Sequence, residues 1–338
     1  MAGTISLGNE PTFIISRTDN IGDVVLTLPL ASLIRQKYPH ASILFLCKKY
    51  IRPIIKSCEY INQFIDWDDV SAMAEQEQVR LFKSLHADAI LHIFPHPEIA
   101  GLAYKARIPY RIGTSHRSYH WLYCNKRLNF TRKKSDLHEA QLNVKLAKPI
   151  GIKTIPTLNE LKLLYGLSRL SQWQGENPVD ETRFNLILHP KSRGSAREWE
   201  WKNWNRLAEI LPKEKFKLFV TGTENEGIEI RENLLKQHPN ITDLTGKLDL
   251  AQLMAFISKA DGLVACSTGP LHIAAALGKR AIGIYPPITP MHPGRWAPLG
   301  PKATYLVLDK VCSDCRKKSF CSCINAITPE QVKALLSL

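Results

Sequence analysis

The chain has 338 residues, 44% of them hydrophobic and 22% charged, and a formal net charge of +14. That length predicts two domains of roughly 150 residues each, and the mix excludes a mainly disordered or fibrous chain. No apolar run approaches the roughly 18 residues that span a bilayer, and the start, MAGTISLGNEP, lacks the basic and apolar regions of a signal peptide, so a cytoplasmic chain is expected.

Phe13 to Ser16 reads as a strand, followed by the polar loop Arg17-Thr18-Asp19-Asn20-Ile21-Gly22 and a helix from about Asp23 to Lys37, ending before Pro39. Further strands are expected at Ser42 to Cys47, Gln63 to Asp66 and Ala89 to Phe94, with a helix over about Val70 to Leu85 before the last. Strands alternating with helices mean βαβ units and a mostly parallel sheet. From about Pro95 to Leu137 periodicity is lost and Arg, Tyr and His are frequent; His138 to Ile150 is helical again. A polar stretch containing Gly-Glu-Asn-Pro predicts an interdomain linker, giving domains over 1–165 and 181–338 joined by 166–180.

The pattern then restarts. Strands are expected at Phe184 to His189, Phe216 to Thr221, Leu263 to Cys266 and Ala281 to Tyr285. Helices are expected at Trp199 to Leu211, Glu226 to Gln237 and Asp249 to Lys259, with one more opening at Gly269 and ending before Gly278. This is a second doubly wound unit. Two Rossmann-like units in series imply a cleft, and such sheets bind ligands beyond the carboxyl ends of their strands.

The loops after the strands therefore hold the candidates. Gly22 at a helix start would let a substrate approach the backbone, and Asp23 would be a carboxylate able to take a proton from a hydroxyl. A helix N-cap or first-turn acid is the plainer reading of Asp23 on spacing alone. The loop from His189 to Trp199 sets Lys191, Arg193 and Arg197 among small residues such as Ser192, just before a helix. Cations and free helix N–H groups suit a phosphate; a solvated basic loop is the alternative. Ser267-Thr268-Gly269-Pro270-Leu271-His272 joins a buried strand to an Ala-rich helix and suits a pyrophosphate, with His272 either a donor to it or a core histidine. Glu226 could accept hydrogen bonds from a ribose or simply favour a helix start. Trp199, Trp201 and Trp204 do not share one helix face and read as packing. Neither GxGxxG nor a Walker loop is present.

These segments, together with Leu28-Pro29 and Leu244-Thr245-Gly246-Lys247, resemble in order and over nearly the whole chain the glycosyltransferase family 9 heptosyltransferases, which build the lipopolysaccharide inner core. The resemblance implies an α/β GT-B fold, two Rossmann-like doubly wound domains facing a central cleft. The N-terminal domain would bind the acceptor and the C-terminal domain an ADP-sugar, with inverting transfer that uses no metal or other cofactor. Asp23 falls on the family's catalytic base. Lys191, Ser192, Arg193, Arg197, Glu226, Ser267, Thr268, Gly269, Pro270 and His272 fall on the donor side. Thr18, Asp19, Asn20 and Gly22 fall on the acceptor side. Two positions depart from the family: Ser267 stands where Asp is frequent, and Arg197 where Lys is usual, which keeps charge but changes geometry.

The segment from Lys105 to Lys134 holds nine Lys or Arg and no acid, so Arg111 and Arg117 are expected to meet an anionic acceptor. On this reading the partners are ADP-heptose and lipopolysaccharide, the chain works peripherally at the cytoplasmic face of the inner membrane, and nucleic acid is not a partner. The eight cysteines are expected as thiols or ligands; Cys312, Cys315, Cys321 and Cys323, spaced C-x2-C-x5-C-x-C, could hold a structural zinc or iron, although the short gaps are unlike a zinc ribbon. A protein O-heptosyltransferase, a transferase using another nucleotide sugar, or a basic nucleic-acid-binding protein are the alternatives; the last lacks any known binding signature.

Overall fold

The computed structural model describes residues 5–289, 291–310, 312 and 321–336. The chain divides into two units, Met1–Arg169 and Leu170–Leu338, a division that falls within the expected linker. The linker is not a loose tether. In the first unit Glu59 N–H donates to the Gly166 carbonyl; in the second, Trp173 packs on Phe256 at 5.4 Å.

The first unit is built on β1 (Thr12–Ser16), β2 (Ser42–Cys47), β3 (Gln63–Asp66), β4 (Ala89–His92), β5 (Tyr110–Thr114) and β6 (Lys126–Leu128). They pair in parallel in the order β3-β2-β1-β4-β5-β6. The second unit carries β7 (Phe184–His189), β8 (Phe216–Val220), β9 (Thr242–Asp243), β10 (Gly262–Cys266), β11 (Arg280–Tyr285) and β12 (Ala303–Val307), paired in parallel as β12-β11-β10-β7-β8-β9. Counted within its own unit, each sheet has the same order, with the first and fourth strands side by side at the centre. The central strands read as unbroken apolar runs because helices cover both faces: Phe13, Ile14 and Ile15 on β1 and Leu263, Val264 and Ala265 on β10 are wholly buried.

Strand order reverses between β1 and β4 in one unit and between β7 and β10 in the other. Chains leaving these neighbours diverge to opposite sides of the sheet, opening a crevice at the carboxyl ends. The candidate loops after Ser16, His189 and Cys266 all begin there.

Several elements differ from the sequence reading. The helix expected over 23–37 is two helices, Ile21–Val25 and Leu28–Lys37. The break is local: Thr27 Oγ1 donates back to the Asp23 carbonyl at 2.8 Å, and Pro29, in the first turn of the second helix, has no N–H to carry the ladder through. The helix expected over 70–85 is likewise split, into Trp67–Ser71 and Glu75–Ser84. The strand expected to Phe94 ends at His92. The aperiodic region 95–137 contains helix Pro97–Lys105, β5, helix Ser118–Tyr123 and β6, elements too short and too polar to show a period. The helix expected from Glu226 starts at Glu224 and widens into a π-helical turn at Arg231–Leu235. Strands β9 and β12 escaped the sequence reading; they are the two edges of their sheet.

Trp199 and Trp204 are core residues, edge-to-face at 5.1 Å, with Trp199 Nε1 donating to the Ile327 carbonyl at 3.0 Å. Cys47, Cys58, Cys124 and Cys266 are buried thiols. Cys315 lies outside the described residues. Among the described residues no group of three or more His, Cys, Asp or Glu is placed to hold a metal ion.

Candidate active site

Arg17 leaves β1 with its side chain buried and organises the candidate residues of the first unit. Its Nε donates to Asp19 at 2.8 Å. One terminal nitrogen donates to Asp23 at 2.7 Å, the other to Glu139 at 2.9 Å and Asn143 Oδ1 at 2.9 Å. Glu139 is fully buried at the start of helix Glu139–Lys145 and also receives Arg132. Arg132 reaches Asn143 at 3.1 Å and the Ile93 carbonyl at 2.8 Å. Asn143 turns its amide to the Leu26 carbonyl and Thr27 Oγ1, both at 3.0 Å, and so holds the break that follows the Asp23 helix.

Asp23 is therefore no N-cap. Asn20 occupies that position, exposed and without a side-chain cap bond, and Asp23 lies in the first turn. Gly22 is inside the helix. Burial pushes the Asp23 carboxyl up to about 6; Arg17 opposes this, while Asp19 and Glu139 add to it. A carboxylate with its proton affinity near neutrality at a sheet's switch point fits a general base. Thr18 is buried and Asp19 partly exposed beside it. The sequence reading missed Arg17, Asn143 and Glu139 as site residues. The last two lie more than a hundred positions away, and only the fold brings them to the loop.

The basic segment is less open than its composition suggested. Lys105 pairs with Glu75, Arg132 is turned inward, and Arg111 donates to the Tyr123 and Ile108 carbonyls. Arg117 is exposed.

In the second unit the loop after β7 is shaped by Glu198, also absent from the sequence candidates. Its carboxylate accepts Ser192 N–H at 2.9 Å and Ser192 Oγ at 2.9 Å, and pairs with Lys191 Nζ at 2.6 Å. Lys191 also meets Glu229 at 2.9 Å. Burial works against the lysine's charge, but these two carboxylates outweigh it and hold its pKa above the usual value. Ser192 and Lys191 thus close the loop. Arg193 takes a left-handed φ of 50° on the exposed crest, next to Gly194, and Arg197 is partly buried at its base. His189, at the end of β7, bonds Thr221 Oγ1 at 2.9 Å.

After β10, helix Gly269–Ala276 begins at Thr268, whose backbone is extended and whose side chain makes no cap bond. Thr268 Oγ1 is buried without a hydrogen-bond partner. A buried hydroxyl left unpaired at a helix N-terminus, where N–H groups also lack intrahelical acceptors, is fitted to an anionic oxygen. His272 is buried in the same turn, Pro270 is in the first turn, and Ser267 bonds Tyr285. Glu226 forms a capping box with Thr223: its carboxylate accepts Thr223 N–H at 2.8 Å and Oγ1 at 2.9 Å.

Two doubly wound parallel units, one with a partly buried carboxylate at its switch point and the other with a basic loop and a helix N-terminus at its own, are the architecture of the GT-B class. The model for glycosyltransferase family 9 (heptosyltransferase) matches residues 67–323, and the chain belongs to that family. It is 26% identical over 281 residues to the lipopolysaccharide core heptosyltransferase OpsX of Haemophilus influenzae, covering 80% of this chain and 78% of that protein. The fold is that of a Veillonella parvula family 9 glycosyltransferase, with TM-score 0.76, 18% identity and coverage of 97% and 99% of the two chains. It is also that of Escherichia coli ADP-heptose lps heptosyltransferase II, with TM-score 0.73, 19% identity and coverage of 96% and 97%. No helix among the described residues is long and apolar enough to cross a membrane.

Proposed function

We propose that this chain transfers a heptose from ADP-heptose to the lipopolysaccharide inner core, with inversion and without a metal, at the cytoplasmic face of the inner membrane. The Asp23 carboxylate takes the proton of an acceptor hydroxyl. The acceptor oxygen forms its bond to the anomeric carbon as the bond from that carbon to the phosphate oxygen breaks. ADP leaves with the electron pair. Its developing charge is met by Arg193, Arg197, Thr268 and the start of helix Gly269–Ala276. Lys191 and Ser192 contribute by holding the loop closed on Glu198, and Glu226 offers its carboxylate to the ribose from within its capping box. Thr18, Asp19, Asn20 and Gly22 line the acceptor side, with Arg117 an exposed cation toward an anionic core; Arg111, bonded to two carbonyls, contributes less.

The observation that carries this reading is Asp23: a carboxylate at the β1 switch point, held by Arg17 and tuned to about 6. Calorimetry with ADP, UDP, GDP and CDP tests the donor, and ADP is expected to bind tightest. UDP binding equally well would overturn the ADP-sugar assignment and leave the fold intact. Turnover is expected to survive exhaustive EDTA treatment; a loss restored by Mg²⁺ would contradict the metal-independent step.

A further inference from the structure

Helix Ser118–Tyr123 connects β5 to the edge strand β6 and packs by one side on helix Pro97–Lys105. Its other side is apolar and uncovered: Trp121 is 61% and Leu122 72% exposed, and Tyr104 on the neighbouring helix is 51% exposed. Isolated exposed apolar residues are ordinary, but Trp121 and Leu122 are two large ones in succession on one short helix, and Tyr104 stands exposed on the helix it packs against. Cations ring it. The Arg127 guanidinium lies 4.5 Å from the Trp121 ring centroid, Lys126 Nζ lies 6.0 Å from that of Tyr110, and Arg117 precedes the helix. Trp121 Nε1 donates to the Ser115 carbonyl at 2.9 Å, which fixes the indole. No acid occurs between Lys105 and Lys134, and Glu75, which reaches the segment from outside, is paired with Lys105.

We infer that Trp121 and Leu122 seat in the surface of an anionic lipid bilayer, with Arg117, Lys126 and Arg127 on its phosphates. The inference rests on the proposed function, since it gives that lipid-borne acceptor a place to be met. A Trp with an adjacent Leu fits the boundary between headgroups and acyl chains, and neighbouring Lys and Arg favour an anionic leaflet. A nucleic acid would use the cations but leave Leu122 without a role. The buried side of the same helix carries His120, whose ring lies 5.6 Å from His92 at the end of β4, next to Ser16 in the sheet register. The patch is thereby built on the strands that hold the Arg17 loop.

The test is vesicle flotation of the full chain, with phosphatidylcholine alone and with about one-third phosphatidylglycerol. Binding is expected only with the anionic lipid and should weaken between about 0.1 M and about 0.5 M salt. Leu122→Ser should lower partitioning about tenfold and Lys126→Ser about fivefold, with melting temperature and ADP affinity unchanged. Brominated lipid should quench part of the tryptophan emission, and that part should vanish in Trp121→Phe while binding persists. No flotation, equal quenching in Trp121→Phe, or a dimer that Leu122→Ser dissociates would each overturn the inference. Absence of heptose transfer would overturn the proposed function and leave the flotation result standing.

Discussion

Three carboxylates, Asp19, Asp23 and Glu139, converge on Arg17, and Arg132 is a second cation on Glu139. Two positive charges face three negative ones, and partial burial together with the charges of Asp19 and Glu139 raises Asp23 despite Arg17. In the unfolded chain it ionises near 3.8 and in the folded chain near 6, so the folded state holds the extra proton between those values. This group's contribution to stability therefore falls as pH rises across that window, and above it the cost is constant, on the order of 1–3 kcal/mol. Asp23→Asn removes the cost while Arg17 keeps Asp19, Glu139 and Asn143. The variant is expected to melt a few degrees above the parent at pH 8, with the gap closing toward pH 4, as differential scanning calorimetry would read. Its kcat should fall by at least about 10²-fold, and the acid limb near pH 6 should disappear from the rate profile. An unchanged melting temperature, expected if Asp23 were only a first-turn acid with no burial cost, would contradict this.

Thr268 and Glu198 act within single elements of the proposed donor side. The Thr268 hydroxyl is buried without a partner, so Thr268→Val, of the same shape, should leave the free protein as stable or slightly more so. ADP affinity should drop about five- to tenfold in calorimetry if that hydroxyl meets the pyrophosphate. A wild-type affinity would place the anion elsewhere. Glu198 acts one step back. It is the common partner of Lys191 and Ser192, so Glu198→Ala should loosen the loop and raise the donor KM about tenfold with little change in acceptor KM. Equal rises in both would point to general unfolding of the unit.

Across the whole molecule, one buried histidine stands at a strand end in each unit. Burial first of all pushes His92 down to about 3 and His189 to about 4, so both fold neutral. The unfolded chain protonates them near 6.5; their contribution is complete above that pH and is lost progressively as pH falls toward 4. Asp23 gains over part of the same range, but two histidines outweigh one carboxylate. The melting temperature is expected to fall by several degrees from pH 7.5 to pH 5, and His92→Gln should flatten the drop in the first unit's transition. A flat profile would contradict the burial of these rings.

Much of the architecture was legible in the sequence because parallel sheets covered on both faces need continuous apolar strands. Those runs, at 13–16, 42–47, 184–188 and 263–266, are visible by composition alone. Strand β9 was not visible, since two residues, Thr242 and Asp243, make no run; β12 was missed although its five residues are mostly apolar. The placement of Asp23, the 191–197 loop and the 267–272 turn after central strands was legible because the strands before them are unbroken apolar runs, and the ordered motifs carried the family. The sequence could not show that Arg17 faces three carboxylates, that Arg132 turns inward, or that Glu198 and Glu229 pair with Lys191. Those partners depend on which strands become neighbours. Burial then sets the cost of each charge, and burial is a property of the folded chain alone.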